Sequence, residues 1–421
     1  MKKILLINMG SLGDIHPYIG MGLMLQRGGF KVVVASQPAY VDRITAAGLE
    51  AHGLGPDINP DDPEIIKIVM DPIRGPERLH RRYVFPFTQQ ILDEALPIAR
   101  DADLILTGML GYAVPTLAEL CKVPWGIGML APMGYWSAID PPEIPPIPFL
   151  RSLRFLGPTF LANFYRLMFA ASKNWSRDLH EERRRRGLSR QMNPLSPQMM
   201  SSGALNLALF SKYFAAPQRD WPVNLIQPGF ISYDGPAEQG VLSTEIEKFL
   251  SLGEPPVLVT LGSTNVHTPG KIFEIFHQAL SKTKRRALMV VGEQNLLECR
   301  KKYASDQFGI FGYAPYGKLM PRCSAVVHQG GVGTTGQAMR SRCPAIIVGS
   351  ANDQLDNARH LEEVGGGIRL PLKRLNVTSL GVAIDRIFQP SLQAKAQEIA
   401  KQIQAEPTEE ILLRAVRQIT R

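Results

Sequence analysis

The densest chemistry in the chain runs from Tyr313 to Gln354, YAPYGKLMPRCSAVVHQGGVGTTGQAMRSRCPAIIVGSANDQ. It holds an aromatic-Pro turn, a His at the end of an apolar strand, a glycine-rich loop with paired threonines, and an Asp-Gln pair. Gly330, Gly331 and Gly333 let the backbone approach a ligand closely, because glycine has no Cβ and tolerates positive φ. A helix expected to begin near Thr334 or Thr335 would add free N–H groups and a positive dipole end, which favour a diphosphate. His328, the N–H groups from Gly330 to Gly333, and the hydroxyls of Thr334 and Thr335 would supply oriented donors to a leaving phosphate. Ser263, at the end of the strand ending LGST, suits the same diphosphate or, equally, a cap in a turn. The glycine loop alone could be a tight strand-to-helix turn, and Asp353 with Gln354 could be an Asx turn around Asn352. Taken in order, the pieces suit successive parts of a nucleotide sugar.

A second cluster is Gly10-Ser11-Leu12-Gly13-Asp14-Ile15-His16-Pro17. It follows the first strand and opens the first helix, so its side chains should stand at the carboxyl edge of a sheet. An Asp there can take a proton from a hydroxyl even with an ordinary pKa. The other reading is that Asp14 stabilises the helix start, as acidic residues often do. The loop lacks the GxGxxG spacing of a dinucleotide site, which argues against an NAD enzyme.

The elements that must position these residues read as strand-helix alternation, twice over. KILLINMG, FKVVVASQ, DLILTG and PWGIGML are apolar strands, with a first helix from Pro17 to Arg27. The second half restarts with PPVLVTLGS, a helix from about Pro269, then ALMVVG, FGIFGY, AVVHQ and PAIIVG. Such runs predict buried parallel strands in an α/β class. Residues 216–235, rich in Pro, Trp and Gly, are the expected linker between domains 1–215 and 236–390. Residues 391–421 are expected to be helical.

Composition narrows the classes. A chain of 421 residues predicts at least two domains, and 45% hydrophobic residues suffice for sizeable cores. Cys121, Cys299, Cys323 and Cys343 are dispersed without metal spacing, which reads as reduced thiols in a cytoplasmic protein. The first apolar run is too short for a signal peptide, and no run approaches a membrane span. The net charge of +9 fits anionic nucleotide sugars or an anionic membrane surface, and there is no basic-aromatic module for nucleic acid. Asp101-Ala102-Asp103 matches a metal-binding DxD triplet, yet it falls where a helix ends and a strand begins. Residues 55–76 read as a long loop. Leu153, Leu156, Phe160, Phe164, Leu167 and Met168 recur at helical spacing. That stripe either packs inward, or forms a greasy acceptor pocket or a surface that rests on a membrane. Arg183 to Arg186 reads as a solvated helix face.

The Tyr313–Gln354 segment resembles the donor-binding signature of GT-B glycosyltransferases of family 1, the UDP-glycosyltransferase superfamily. Its bacterial branch has an H-x-G-G-x-G-T-T loop, here His328 to Thr335, and its plant branch a G-W-A-P-Q turn, here Gly312 to Tyr316. Phe214 to Gly235 and Asp353 to Leu361 are similar to bacterial rhamnosyltransferases that build rhamnolipids. The resemblance implies two Rossmann-like, doubly wound domains facing across a cleft, with the last helix crossing back to the amino-terminal domain. It implies a base from the Gly13-Asp14-Ile15-His16-Pro17 loop, so Asp14 is the candidate base, with His16 lining the site. It implies that the nucleoside base stacks on Tyr313 beside Ala314, although Tyr313 as plain packing is an alternative. Asp353 and Gln354 resemble the pair that bonds donor-sugar hydroxyls. Plant members carry a Glu where this chain has Gly336, and a Gln where it has Tyr316; both losses make a thymidine nucleotide plausible.

The expected function is an inverting hexosyltransferase needing no metal or other cofactor. It would move sugar from a UDP- or dTDP-sugar to an apolar or lipid-like alcohol. A nucleotide-sugar epimerase and a noncatalytic nucleotide-sugar-binding protein are the alternatives. Nucleic acid is not an expected partner, and peripheral contact with the inner membrane face is left open.

Overall fold

A computed structural model describes residues 1–59, 62–235, 241–262 and 271–421. The chain divides into two units, residues 1–233 with 407–421, and residues 234–406.

The first unit is built on Lys3–Ile7 (β1), Lys31–Ser36 (β2), Glu50–Gly53 (β3), Leu104–Thr107 (β4), Trp125–Met129 (β5), Leu205–Ala208 (β6) and Leu225–Ile226 (β7). These form one sheet in the order β3-β2-β1-β4-β5-β6-β7, with every pair parallel. Side chains alternate between faces. Ile4 and Leu6 enter one core with Val32, Val34, Leu104 and Leu106, while Leu5 and Ile7 enter the other with Val33, Ala35 and Ile105. Burial on both faces is why these strands read as continuous apolar runs. β3, with the sequence EAHG, lies at the sheet edge half exposed and gave no such run.

The second unit holds Val257–Thr260 (β8), Ala287–Val290 (β9), Phe308–Phe311 (β10), Ala325–His328 (β11), Ala345–Ile347 (β12) and Gly367–Arg369 (β13). Its sheet is also parallel, in the order β10-β9-β8-β11-β12-β13. In each sheet the order reverses at one place: between β1 and β4, and between β8 and β11. Open parallel sheets bind ligands outside the carboxyl ends of the strands at such reversals. Asp14 follows β1, and the glycine loop follows β11.

The helix Pro390–Gln404 stays in the second unit, whereas Thr408–Ile419 packs in the first. Leu412, Ala415 and Val416 of that last helix are buried in the same core as Ile4 and Leu6. Arg27 pairs with Glu409 at 2.7 Å, and Arg417 donates to the Gly28 carbonyl.

Several expectations are corrected. The first helix begins at Leu12, not Pro17, which sits inside its second turn. The helix after the glycine loop begins at Val332, not near Thr334 or Thr335. The 55–76 stretch contains a helix, Pro63–Val69, with the Asp62 carboxylate capping the Glu64 N–H. Arg183 is no solvated residue: it is 2% exposed and donates to Thr116, Glu119 and the Ser189 carbonyl. Arg186 pairs with Glu182 and Asp93. Asp101 and Asp103 are engaged by Lys3 and Lys2, so the triplet clamps the chain start to β4.

Candidate active site

At the end of β1 the backbone turns through Gly10 at φ +132° and enters the helix Leu12–Arg27 with Ser11 as its N-cap. One oxygen of Asp14, Oδ2, accepts from the Ser11 N–H at 2.8 Å and from the Ser11 hydroxyl at 2.9 Å. The other oxygen accepts no hydrogen bond among the described residues. A Cβ on Gly10 would lie 2.5 Å from Asp14 Oδ2, so only glycine leaves room for this carboxylate. Gln37, after β2, grips Gly10 from both sides: its Oε1 accepts the Gly10 N–H at 2.9 Å and its Nε2 donates to the Gly10 carbonyl at 3.2 Å. The Asn8 amide donates to the Asp14 carbonyl. Burial pushes the Asp14 carboxyl above its ordinary value, and the two Ser11 bonds only partly oppose this. Asp14 is therefore a helix-start residue that also presents a basic, half-engaged carboxylate.

His16, half-buried in the second turn, sets its ring edge-on to Tyr233 with centroids 5.5 Å apart. Burial, then the Arg43 charge, lower it to about 4, so the ring is neutral near pH 7. No hydrogen bond joins it to Asp14 among the described residues.

In the second unit, β11 ends on His328, which is fully buried. Its Nδ1 accepts the Gly330 N–H at 3.1 Å, and burial lowers the ring to about 3. The neutral ring therefore carries its proton on Nε2, a donor with no partner among the described residues. Gly330 has φ +94°, and a Cβ there would lie 2.5 Å from Ile347. Gly331 is the N-cap of Val332–Arg340 and brings no side-chain cap, leaving the first-turn N–H groups open. Gly333 is exposed and Thr334 half-buried, but Thr335 is buried and its hydroxyl donates to the Gly331 carbonyl at 3.0 Å. The two threonines thus part: Thr335 holds the turn, and Thr334 does not. Ser263 lies outside the described residues.

Tyr313, in the turn after β10, is exposed, with Ala314 buried beside it. The Tyr313 hydroxyl donates to the Asp234 carbonyl at 3.5 Å. The Asp234 carboxylate accepts from the Gln337 amide at 2.7 Å and the Gly317 N–H at 3.3 Å. Tyr316 shares a 2.5 Å hydrogen bond with Thr260, and burial pushes its hydroxyl up to about 12.

Asp353 precedes the helix Gln354–Glu363 and accepts from Asn357 at 2.8 Å; the Asn357 amide also donates to the Gly330 carbonyl at 2.9 Å. The Gln354 side-chain oxygen, Oε1, accepts from the Ser350 and Ala351 N–H groups, so the residue closes its own turn. One asparagine therefore joins the glycine loop to the Asp-Gln pair. Asn357, Asp234, Gln337 and Gln37 all escaped sequence reading. Their signal is tertiary, since each bonds a backbone or carboxylate remote in sequence. Gln329 also escaped: its amide fills the space where a Cβ on Gly262, at the end of β8, would stand.

Residues 301–417 match a family model described as erythromycin biosynthesis protein CIII-like, C-terminal domain. Over 96% of its length the chain is 29% identical to O-mycaminosyltylonolide 6-deoxyallosyltransferase of Streptomyces fradiae, spanning 94% of that protein. It is 26% identical to a sterol 3-beta-glucosyltransferase of Arabidopsis thaliana, over 96% of this chain and 63% of that one. Among solved structures, the glycosyltransferase VinC in complex with dTDP superposes with a TM-score of 0.72 at 20% identity, over 99% of both chains. The spinosyn rhamnosyltransferase SpnG with thymidine diphosphate gives 0.66 at 19% identity, over 99% of this chain and 100% of that one. At those identities the structures share a fold with this chain.

Proposed function

We propose, from the premise that this chain is a glycosyltransferase of the GT-B fold, that it moves a deoxyhexose from a dTDP-sugar to an apolar alcohol with inversion. The observation that carries the donor half is the open helix start at Gly331–Thr334 beside the unpartnered Nε2–H of His328, at the strand-order reversal of its sheet. Those donors suit the charge that grows on a departing β-phosphate, so the reading asks for no metal. Tyr313 is the stacking face for the base. Asp234 and Gln337, beside it, are the groups proposed to meet the deoxyribose where Gly336 offers no side chain. Tyr316 is committed to Thr260 and Gly336 has no carboxylate, which favours dTDP over UDP. The dTDP complexes of VinC and SpnG, and the deoxysugar in the name of the Streptomyces fradiae relative, point the same way. A rhamnosyl-type donor is one member of that class. Asp353 and Gln354 are assigned to the sugar hydroxyls.

For the acceptor half, the free oxygen of Asp14 takes the hydroxyl proton as the oxygen attacks the anomeric carbon. A single displacement by a base-activated hydroxyl inverts the anomeric centre. The sterol and macrolide names among the relatives support an apolar acceptor. Asp14 and the donor loop lie in different units, so each half has its own test. For the donor, melting temperature is measured with saturating dTDP and with UDP. Ligand that binds only the folded state raises it by mass action. A shift with dTDP exceeding that with UDP is expected; no shift with either would remove the donor site.

A further inference from the structure

Residues 144–177 contain no Asp or Glu and five cations, Arg151, Arg154, Arg166, Lys173 and Arg177. The segment leaves the sheet after β5 and folds as a 3-10 helix, Leu150–Leu156, followed by the helix Pro158–Ala171. Leu161 and Tyr165 turn inward and join Leu150, Ile144 and Ala138 in a small core of their own. The helix carries a second apolar stripe. Phe160, Leu167 and Ala171, spaced by seven and four residues, share another face and are exposed, while Phe164 at its border packs against the small core. Leu167 is 73% exposed, and Phe155 on the adjoining 3-10 helix 79%; Phe149, Leu156 and Phe160 are exposed as well. The stripe that helical spacing picked out in the sequence is thus divided: Leu156, Phe160 and Leu167 are exposed, while Leu153 and Phe164 pack on the small core. A helix needs one apolar stripe to pack on its own core, so this second one has no intramolecular use.

The charges beside it choose the partner. Asp140 engages Arg151, and Glu181 engages Arg177. Arg154, Arg166 and Lys173 are exposed and have no carboxylate partner among the described residues. A second copy of this face would set cations against cations with no acid between them, since a two-fold interface repeats the same patch. Anionic headgroups above an acyl layer offer both what the cations lack and what the rings and leucines lack. We propose that Phe155, Phe160 and Leu167, with Arg154, Arg166 and Lys173, dock this protein on an anionic phospholipid surface. The β5 loop and the β1 loop leave carboxyl ends of strands in one parallel sheet, so docking holds the Asp14 edge near the membrane. That the membrane also supplies the acceptor rests on the proposed function; the docking itself does not.

The test is co-sedimentation of the full chain with phosphatidylcholine vesicles, with and without phosphatidylglycerol. Binding should require phosphatidylglycerol and weaken as salt is added. The double substitution Phe155→Ser and Leu167→Ser should lower the partition coefficient at least about tenfold. Arg154→Gln and Arg166→Gln should each lower it about fivefold. All four side chains are exposed, so melting temperatures should hold. No binding to the anionic vesicles, or equal binding by the serine variant, overturns the proposal. Concentration-dependent dimerisation without lipid, abolished by the serine variant, overturns it in favour of a second copy. Measuring dTDP binding on the same samples keeps the two readings apart: a silent donor site leaves the vesicle result standing.

Discussion

Asp14 combines two demands that conflict at one carboxylate. As the third residue of its helix it must accept from Ser11, and as the proposed base it must keep an oxygen and a proton affinity to spare. The structure divides the labour between its two oxygens and raises the carboxyl by burial. Asp14→Asn keeps an acceptor for Ser11 and removes the base, so kcat should fall about 10²–10⁴-fold. Its stability should hold or rise. A carboxyl whose folded pKa is raised binds its proton more tightly folded than unfolded, so ionising it works against the fold as pH climbs through that pKa. In the parent enzyme kcat/KM should fall on the acid side through the same raised pKa, and that limb should vanish in the Asn variant. Unchanged turnover with an intact melt would remove Asp14 from the chemistry. The residue type and its place after β1 were legible in the sequence. Gln37 was not, because it reaches Gly10 from the end of a neighbouring strand, and the steric need for Gly10 was not, because it arises only where the turn brings Asp14 Oδ2 back against it.

The helix Val332–Arg340 shows what an element contributes beyond its residues. Its paired threonines look equivalent in sequence, and a start two residues earlier than expected makes them unlike. With Gly331 as N-cap, Thr334 falls in the open first turn, and Thr335 turns inward one turn from the Gly331 carbonyl. Thr334→Val should weaken dTDP binding about tenfold with little change in melting temperature, on the usual worth of a charge-assisted hydrogen bond. Thr335→Val should do the reverse, costing about 1 kcal/mol of stability and leaving the affinity nearly unchanged. Isothermal calorimetry beside thermal melts separates them; equal losses in affinity would return both hydroxyls to the ligand. Boundary placement is what sequence periodicity resolves least well, and here two residues decide which hydroxyl is free. The apolar strands, by contrast, were legible because burial on both faces leaves little choice of side chain. The edge strands β3 and β7 were missed because they are short and half exposed. β6 and β13 were missed as well, β6 although buried, because Asn206 breaks its four-residue run and Gly and Arg bound the three residues of β13.

At the scale of the whole molecule, two parallel sheets each turn at one strand-order reversal. Asp14 and the glycine loop follow strands that flank those places, while Tyr313 and Asp353 follow β10 and β12, further out in the second sheet. The repetition was visible as two rounds of strand-helix alternation. The ownership of the last helix is less easily read, since an amphipathic helix does not state which core it covers. Here Leu412, Ala415 and Val416 fill the core of the first unit. Ending the chain at Glu406 should therefore cost that unit about 5 kcal/mol or more, from the apolar area laid bare. The second unit, which keeps all of residues 234–406, should still bind dTDP. A single melt unchanged by the truncation would contradict this assignment.

That shared core also orders events at the ribosome. Chains emerge at about 5–20 residues per second, and domains generally fold as they appear, first ones first. In this chain the unit that begins before the other cannot finish before it, because its core waits for residues 407–421, made after all of residues 234–406. The second unit, begun later, has all its residues earlier. While residues 234–406 are made, the β1 sheet must persist with one side of its core uncovered, and a nonsense codon just after Glu406 would injure a sheet translated before any of them.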